Sequence, residues 1–220
     1  MRFCIFDTET TGLPKGYNAP WYKLDNWPYI VQMSWLIYDT EQGGVIDDKD
    51  RVIRIDPNIE ITPKSIEKHG ITKEISQASD YTIKDVLREF GHAISKCDIV
   101  VAHNIKFDKN VVKCEYARNG IRNSMDLFRG HLFCTMMNSI EVCKIRKLSK
   151  EGNPYHKWPT LEELHHHFFR NNPTNLHNSL VDIFVCFRCF YKLKFDKDVL
   201  RESSGLRAYY NGLCQRSYKL

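Results

Sequence analysis

The chain opens on an apolar run, Phe3 to Phe6, that stops at Asp7. A short run without alternation reads as a strand buried on both faces, so a strand is predicted over Arg2 to Phe6. Ile30 to Tyr38 reads as a second strand and Arg51 to Ile55 as a third, joined through the turn-rich residues 39–44, which makes an antiparallel meander. Thr62 and Pro63 open a short helix, with Ile66, His69 and Ile71 on its apolar side. Thr82 caps a longer one whose apolar positions Ile83, Val86, Leu87, Phe90 and Ile94 recur at helical spacing. Asp98 to Ala102 is the next buried strand, followed by a helix through Arg118. Beyond Gly120 the pattern predicts a strand at Leu132 to Cys134, a helix at Met136 to Cys143 and a polar loop at Lys147 to Lys157. Thr160 caps a helix over Leu161 to Phe169, and Ser179 caps one over Leu180 to Leu193. Residues 194–220 have no strong period and are expected to form a C-terminal tail or helix.

Strands first, then helix, strand and helix, imply an α/β fold whose mixed sheet combines an antiparallel meander with parallel strands between helices. One domain over residues 1–193 is expected, with 194–220 packed on it. The 220 residues are 42% hydrophobic and 27% charged, enough for one well-cored domain. The apolar runs are short and broken by charge, so no membrane span, membrane partner or leader is expected. Eight scattered cysteines lie mostly in apolar runs and read as reduced thiols of an intracellular protein, cytoplasmic or nuclear. A net charge of +5 suits a polyanionic partner. The basic excess gathers at Lys144, Arg146, Lys147 and Lys150, and again at Lys192, Lys194 and Lys197.

Candidate chemistry begins at Asp7 and Glu9. Residues two apart on a strand point the same way, and two adjacent carboxylates repel unless a cation, typically a hard divalent one, lies between them. Residues 13–28 hold three prolines and a glycine and form a long loop. Its Tyr17, Trp21, Tyr22 and Trp27 interleave with Lys15 and Lys23. That composition suits a surface that stacks bases and meets phosphates, and equally a loop pinned by its aromatics. His165, His166 and His167 are adjacent on a helix and point apart, a poor chelate. Cys186 and Cys189 have no second pair at zinc spacing. His177 and Asp182 are five residues apart, about 140° around a regular helix, so they converge only if His177 lies in the preceding loop.

Four segments carry a resemblance: Phe6-Asp-Thr-Glu-Thr-Thr-Gly-Leu13, His69-Gly-Ile-Thr72, Val101-Ala-His-Asn-Ile-Lys-Phe-Asp108 and His177-Asn-Ser-Leu-Val-Asp182. In this order they resemble the motifs of the DEDD superfamily, in its histidine-bearing branch, which includes the proofreading subunit of bacterial DNA polymerase III and RNase T. The resemblance implies an RNase H-like fold and a site of two divalent cations, Mg²⁺ or Mn²⁺, held by Asp7, Glu9, Asp108 and Asp182, with His177 as general base. It implies that Thr10 and Leu13 meet the 3′-terminal nucleotide and that His103, Asn104 and Phe107 support the site. Trp21 and Tyr22 are the loop residues expected to touch substrate. The implied activity is 3′–5′ exonucleolytic hydrolysis of single-stranded DNA or RNA to nucleoside 5′-monophosphates, in proofreading or repair, with a DNA polymerase as a further expected partner. Two rival expectations are a non-catalytic nucleic-acid-binding or polymerase-docking module on the same fold, and an oligoribonuclease for short RNA. Three features depart from the family pattern: Ser179 in place of the usual alanine, the long aromatic loop after Leu13, and the basic stretch 144–157.

Overall fold

Alternation along the first strand sets up the architecture. Cys4 and Phe6 point into one apolar layer, Phe3 and Ile5 into another, and all four are buried. A computed structural model describes residues 1–121, 127–172 and 179–215. Strand β1 (Arg2–Thr10) lies at the centre of a five-stranded sheet, antiparallel to β2 (Ile30–Asp39), which pairs antiparallel with β3 (Gly44–Val52). On its other side β1 is parallel to β4 (Ile99–Ala102), and β4 to β5 (His131–Cys134), giving the order β3-β2-β1-β4-β5. The mixed α/β sheet is therefore the one the element order implies.

One face is covered by α3 (Ile83–Ile94) and α4 (Ile105–Arg118), where Phe6 meets Phe90 at 5.1 Å between ring centroids. Short helices α1 (Pro63–His69) and α2 (Lys73–Gln77) lead into that layer, capped by Thr62 and Thr72. The other face is covered by α7 (Ser179–Phe195), with Phe3 edge-on to Phe190 at 5.2 Å. Between them in sequence come α5 (Ile140–Cys143), reached through one 3₁₀ turn at Met137–Ser139, and α6 (Leu161–Phe169), whose Thr160 and Glu163 form a reciprocal capping box. The tail folds as α8 (Val199–Glu202) and α9 (Ser204–Gln215), and Leu206 and Leu213 are buried in the α7 layer. Among the described residues no helix is long and apolar enough to cross a membrane.

Several boundaries differ from the sequence reading. β1 continues to Thr10, so both carboxylates stand within the strand rather than after it. The third strand is Gly44–Val52, not Arg51 to Ile55: it is the sheet edge, where solvated Asp and Lys side chains are tolerated and the ladder hides behind a polar sequence. The stretch Lys147 to Lys157, expected as loop, contributes to a ribbon of β6 (Arg146–Leu148) and β7 (Pro154–His156). Ser179 is already helical, and its hydroxyl donates to Ser34 Oγ on β2.

Of the two readings of the aromatic loop, pinning holds for Trp27. It is 3% exposed, its Nε1 donates to Pro20 O at 3.1 Å, and its ring leans on Phe107. The Arg118 guanidinium locks the loop to α4 by donating to the carbonyls of Leu24, Trp27 and Pro28. Trp27→Ala is expected to cost about 3–5 kcal/mol, as for other buried aromatics, and to lower Tm in a thermal melt. An unchanged Tm would return Trp27 to the surface. Tyr22, by contrast, is 65% exposed, and half-buried Trp21 sits edge-on to it with Lys113 Nζ 5.6 Å from the indole centroid.

Candidate active site

Beyond Ile5 the residues of β1 that point toward α7 are Asp7 and Glu9. Directly after Glu9 the register with β2 slips, from Glu9 opposite Gln32 to Thr10 opposite Ile30. A bulge here bends the strand where its carboxylates emerge. Because β4 runs parallel to β1 and ends at Ala102, the helix that follows starts beside the carboxyl end of β1. Asn104 makes that turn in the left-handed region, φ 73°, which asparagine tolerates better than most residues, and so brings Asp108 into the first turn of α4. Asp108 is 2% exposed, and its Oδ1 accepts from Thr8 N at 3.2 Å and Thr8 Oγ1 at 2.8 Å. Asp182 lies in the first turn of α7, above the face that Asp7 and Glu9 share.

The electrostatics tie these groups together. Burial raises the pKa of Asp7, partly offset by Lys68 of α1. Burial lifts Glu9 to about 8, with repulsion from Asp7 and Asp182 adding and Lys68 subtracting. Asp108 is pushed well above the usual carboxylate range by burial and by Asp7. Asp7 thus opposes the ionisation of both Glu9 and Asp108, and Asp182 adds to the effect on Glu9. Among the described residues no three His, Cys, Asp or Glu side chains form a ready coordination cluster. The fit to a cation rests instead on donor chemistry: crowded carboxylate oxygens are the ligands a hard divalent ion takes, and its charge would offset their repulsion.

This repulsion predicts a pH dependence of stability without metal. Glu9 binds its proton more tightly folded (about 8) than unfolded (4.5), so its contribution is full below pH 4.5 and lost as pH rises to about 8. Half-buried His103 and buried His165, each lowered to about 4 by loss of solvent, act oppositely: their contribution is present above 6.5 and lost as pH falls toward 4. Between pH 6.5 and about 8 the carboxylate effect stands alone. In EDTA, Tm should fall across that window, Glu9→Gln should flatten the fall, and Mg²⁺ should restore Tm. A level wild-type profile in EDTA would contradict the crowding.

The motif histidines are held firmly. Ile71 N donates to His69 Nδ1 at 3.0 Å, so the proton is on Nε2, which donates to Thr10 O at 3.3 Å and latches α1 to the end of β1. His103 Nε2 donates to Pro159 O at 3.1 Å, and its Nδ1 accepts from Thr135 Oγ1 at 2.9 Å. Both ring nitrogens of His103 are therefore engaged by the chain itself. Asn104 starts α4, and half-buried Phe107 supports Trp27. Thr10 is buried, its hydroxyl donating to Gly12 O at 2.8 Å, whereas Leu13 is 68% exposed at the rim. His177 lies outside the described residues. A separate cleft of about 750 Å³, lined by Arg54, Glu115 and Arg118 among others, contains none of the motif carboxylates.

Three contributors were not read from the sequence. Thr8 holds Asp108 from the strand face opposite Asp7. Ser34, directly across from Asp7, accepts from Ser179 and donates to Asp50 Oδ1 at 2.7 Å, joining the first turn of α7 to β2 and β3. A serine within the apolar β2 run was its signal. Lys68 faces Asp7 and Glu9 from an exposed helix end, and no local pattern marks it.

A five-stranded mixed sheet covered by helices on both faces, with Asp7 and Glu9 on its central strand and Asp108 and Asp182 in the first turns of the helices on either side, defines an α/β protein with acidic residues at one end of the sheet. Residues 4–190 match the family model described as Exonuclease (RNase_T), and the chain belongs to that family. It is 30% identical over 122 residues to DNA polymerase III PolC-type of Listeria innocua, covering 56% of this chain and 7% of that protein. It is 27% identical over 155 residues to the Bacillus subtilis polymerase of the same name, covering 64% and 10%. The chain thus spans a tenth or less of those relatives. Escherichia coli Exonuclease I in complex with a dT13 oligonucleotide superposes with a TM-score of 0.64 at 16% identity, over 87% of this chain and 41% of that one. That likeness shows the shared RNase H-like fold.

Proposed function

We propose that this chain is a metal-dependent 3′–5′ exonuclease of the histidine-bearing branch, hydrolysing single-stranded DNA or RNA to nucleoside 5′-monophosphates. The observation that carries it is the placement of Asp7 and Glu9 on one face of β1 with Asp108 and Asp182 in the first turns of α4 and α7, where Asp7 and Asp182 oppose the ionisation of Glu9. These residues would hold two divalent cations, Mg²⁺ or Mn²⁺. When bound, such ions supply activation of the attacking water and stabilisation of the leaving 3′-oxygen. Thr8 keeps Asp108 in place, and the Ser179–Ser34 bond keeps the first turn of α7, with Asp182, against the sheet. His177, neutral at physiological pH, takes the proton of the attacking water. Thr10 and Leu13 meet the terminal nucleotide; His103, Asn104 and Phe107 brace the wall around it; Trp21 and Tyr22 offer rings to the strand. The activity is assigned to residues 1–193, and the polymerase relatives support a DNA polymerase as a functional partner.

A 5′-labelled single-stranded oligonucleotide incubated with Mg²⁺ or Mn²⁺ should give a ladder of labelled products shortened from the 3′ end, and EDTA should stop it. An intact oligonucleotide with either metal would overturn the reading in favour of a binding module. Parallel digests of DNA and RNA settle sugar preference.

A further inference from the structure

β6 and β7 stand apart from the main sheet as a separate two-stranded ribbon, with Arg146 opposite His156 and Lys147 opposite Tyr155. The ladder extends to Lys157, whose amide donates to Ile145 O at 2.9 Å. Residues directly opposite each other share a face, so Arg146 and His156 lie on the same side, and Trp158 follows two residues beyond the end of β7. Trp158 is 60% exposed and Leu148 69%, while Tyr155, 47% exposed, stands beside Lys147 on the opposite face, so the ribbon shows large apolar groups to water on both sides. Residues 141–158 hold five lysines and arginines against two glutamates. Lys157 is ion-paired with Glu163, while Lys144, Arg146, Lys147 and Lys150 are exposed and, among the described residues, without a carboxylate partner.

The foot of this ribbon touches the catalytic end of the sheet. Pro159, the residue after Trp158, gives its carbonyl to His103 Nε2, and His103 directly precedes the turn that starts α4 and places Asp108. A positively charged arm bearing exposed rings, rooted beside a carboxylate centre, matches what a flexible polyanion with unstacked bases needs. Cations meet the phosphates, and aromatic faces accept any base. A duplex keeps its bases stacked on each other and would leave the indole unused.

We propose that the β6–β7 ribbon with Trp158 is a holding arm for single-stranded nucleic acid, gripping the strand upstream of the 3′ end that enters the site. Arg146 takes phosphates and Trp158 stacks a base, while Lys144, Lys147 and Lys150 add the surrounding field. The arm rests on the exonuclease reading, which gives the bound strand its direction, and it adds a reason for the chain to prefer long substrates over short ones.

The test measures binding and turnover separately, on the full chain. In EDTA, anisotropy of a fluorescein-labelled oligo(dT) of about 20 nucleotides should show Trp158→Ala weakening affinity about tenfold, in the range of one lost stacking contact. Trp158→Phe should recover most of it. Arg146→Ala should reduce the slope of log affinity against log salt by about 0.7, one phosphate contact to a single strand. With Mn²⁺, both alanine variants should raise KM for that oligonucleotide and leave turnover of a labelled dinucleotide at the wild-type rate, because a dinucleotide is too short to reach the arm. Wild-type affinity in all variants would overturn the arm and leave the face to a protein partner. Equal loss on the dinucleotide would overturn it too, by making Trp158 part of the site wall. Failure of the wild type to cleave either substrate would instead overturn the exonuclease reading, while the EDTA titrations still report on the arm.

Discussion

Asp7→Asn or Asp182→Asn is expected to lower hydrolysis by at least about 10²–10³-fold, the scale on which a single electrostatic contributor to a transition state is felt, and in practice to abolish it. The folded state should survive, since Asp7 is a carboxylate whose ionisation burial already opposes. Replacing it by a neutral amide of the same shape removes repulsion from Glu9 and Asp108. Tm of the variant in EDTA should therefore equal or exceed that of the wild type near pH 7.5, whereas the stabilisation that Mg²⁺ confers should shrink. Asp108→Asn makes a useful companion, because the amide oxygen can still accept from Thr8 N and Oγ1 and only the charge is lost. Wild-type turnover in any of these variants would remove the carboxylates from the chemistry, and a large fall in Tm would show that their role is structural.

His177→Ala is expected to slow single-turnover hydrolysis by roughly 10²–10⁴-fold at saturating Mn²⁺, the usual range for a general base. Metal and substrate binding should persist, since the carboxylates remain. As base the imidazole must be neutral, so the wild-type rate should rise with pH as the imidazole loses its proton, and the variant should lose that rise. His166, exposed on α6 with its Nδ1 2.8 Å from Asn172 Oδ1, is the right control. His165 is a poor one despite its place in the same triplet. It is 1% exposed, donates to Asn171 O at 3.1 Å and accepts from Arg188 Nη1 at 3.0 Å, so its removal disturbs the α6–α7 contact. A His177→Ala variant within a few-fold of wild type across the pH range would return His177 to a loop residue.

How much of this was legible in the chain differs by element. Thr62, Thr82 and Thr160 were read as caps, and each accepts from the backbone amide three residues on, because a cap is decided within one turn of helix. The pairing of Asp7 with Glu9 on one face followed from the two-residue period of a strand. The third strand and the ribbon escaped because neither carries an apolar alternation: one is a charged edge, and the other is three residues a side with a basic sequence. In the aromatic loop, Trp21, Tyr22 and Trp27 were indistinguishable by composition, and only the position of α4 and Arg118 beneath the loop separates the buried indole from the exposed ring.

By itself the sequence determined the order of elements, the helix starts and the acidic residue types, since these rest on contacts between residues a few positions apart. The tertiary structure alone decided that Thr8 grips Asp108 a hundred residues away, that Ser179 docks on Ser34, that Lys68 faces Asp7 and Glu9, and that Pro159 closes on His103. Those contacts depend on which faces the two apolar layers bury. No local period encodes that choice, because it is made jointly by strands and helices that meet only once the chain has folded.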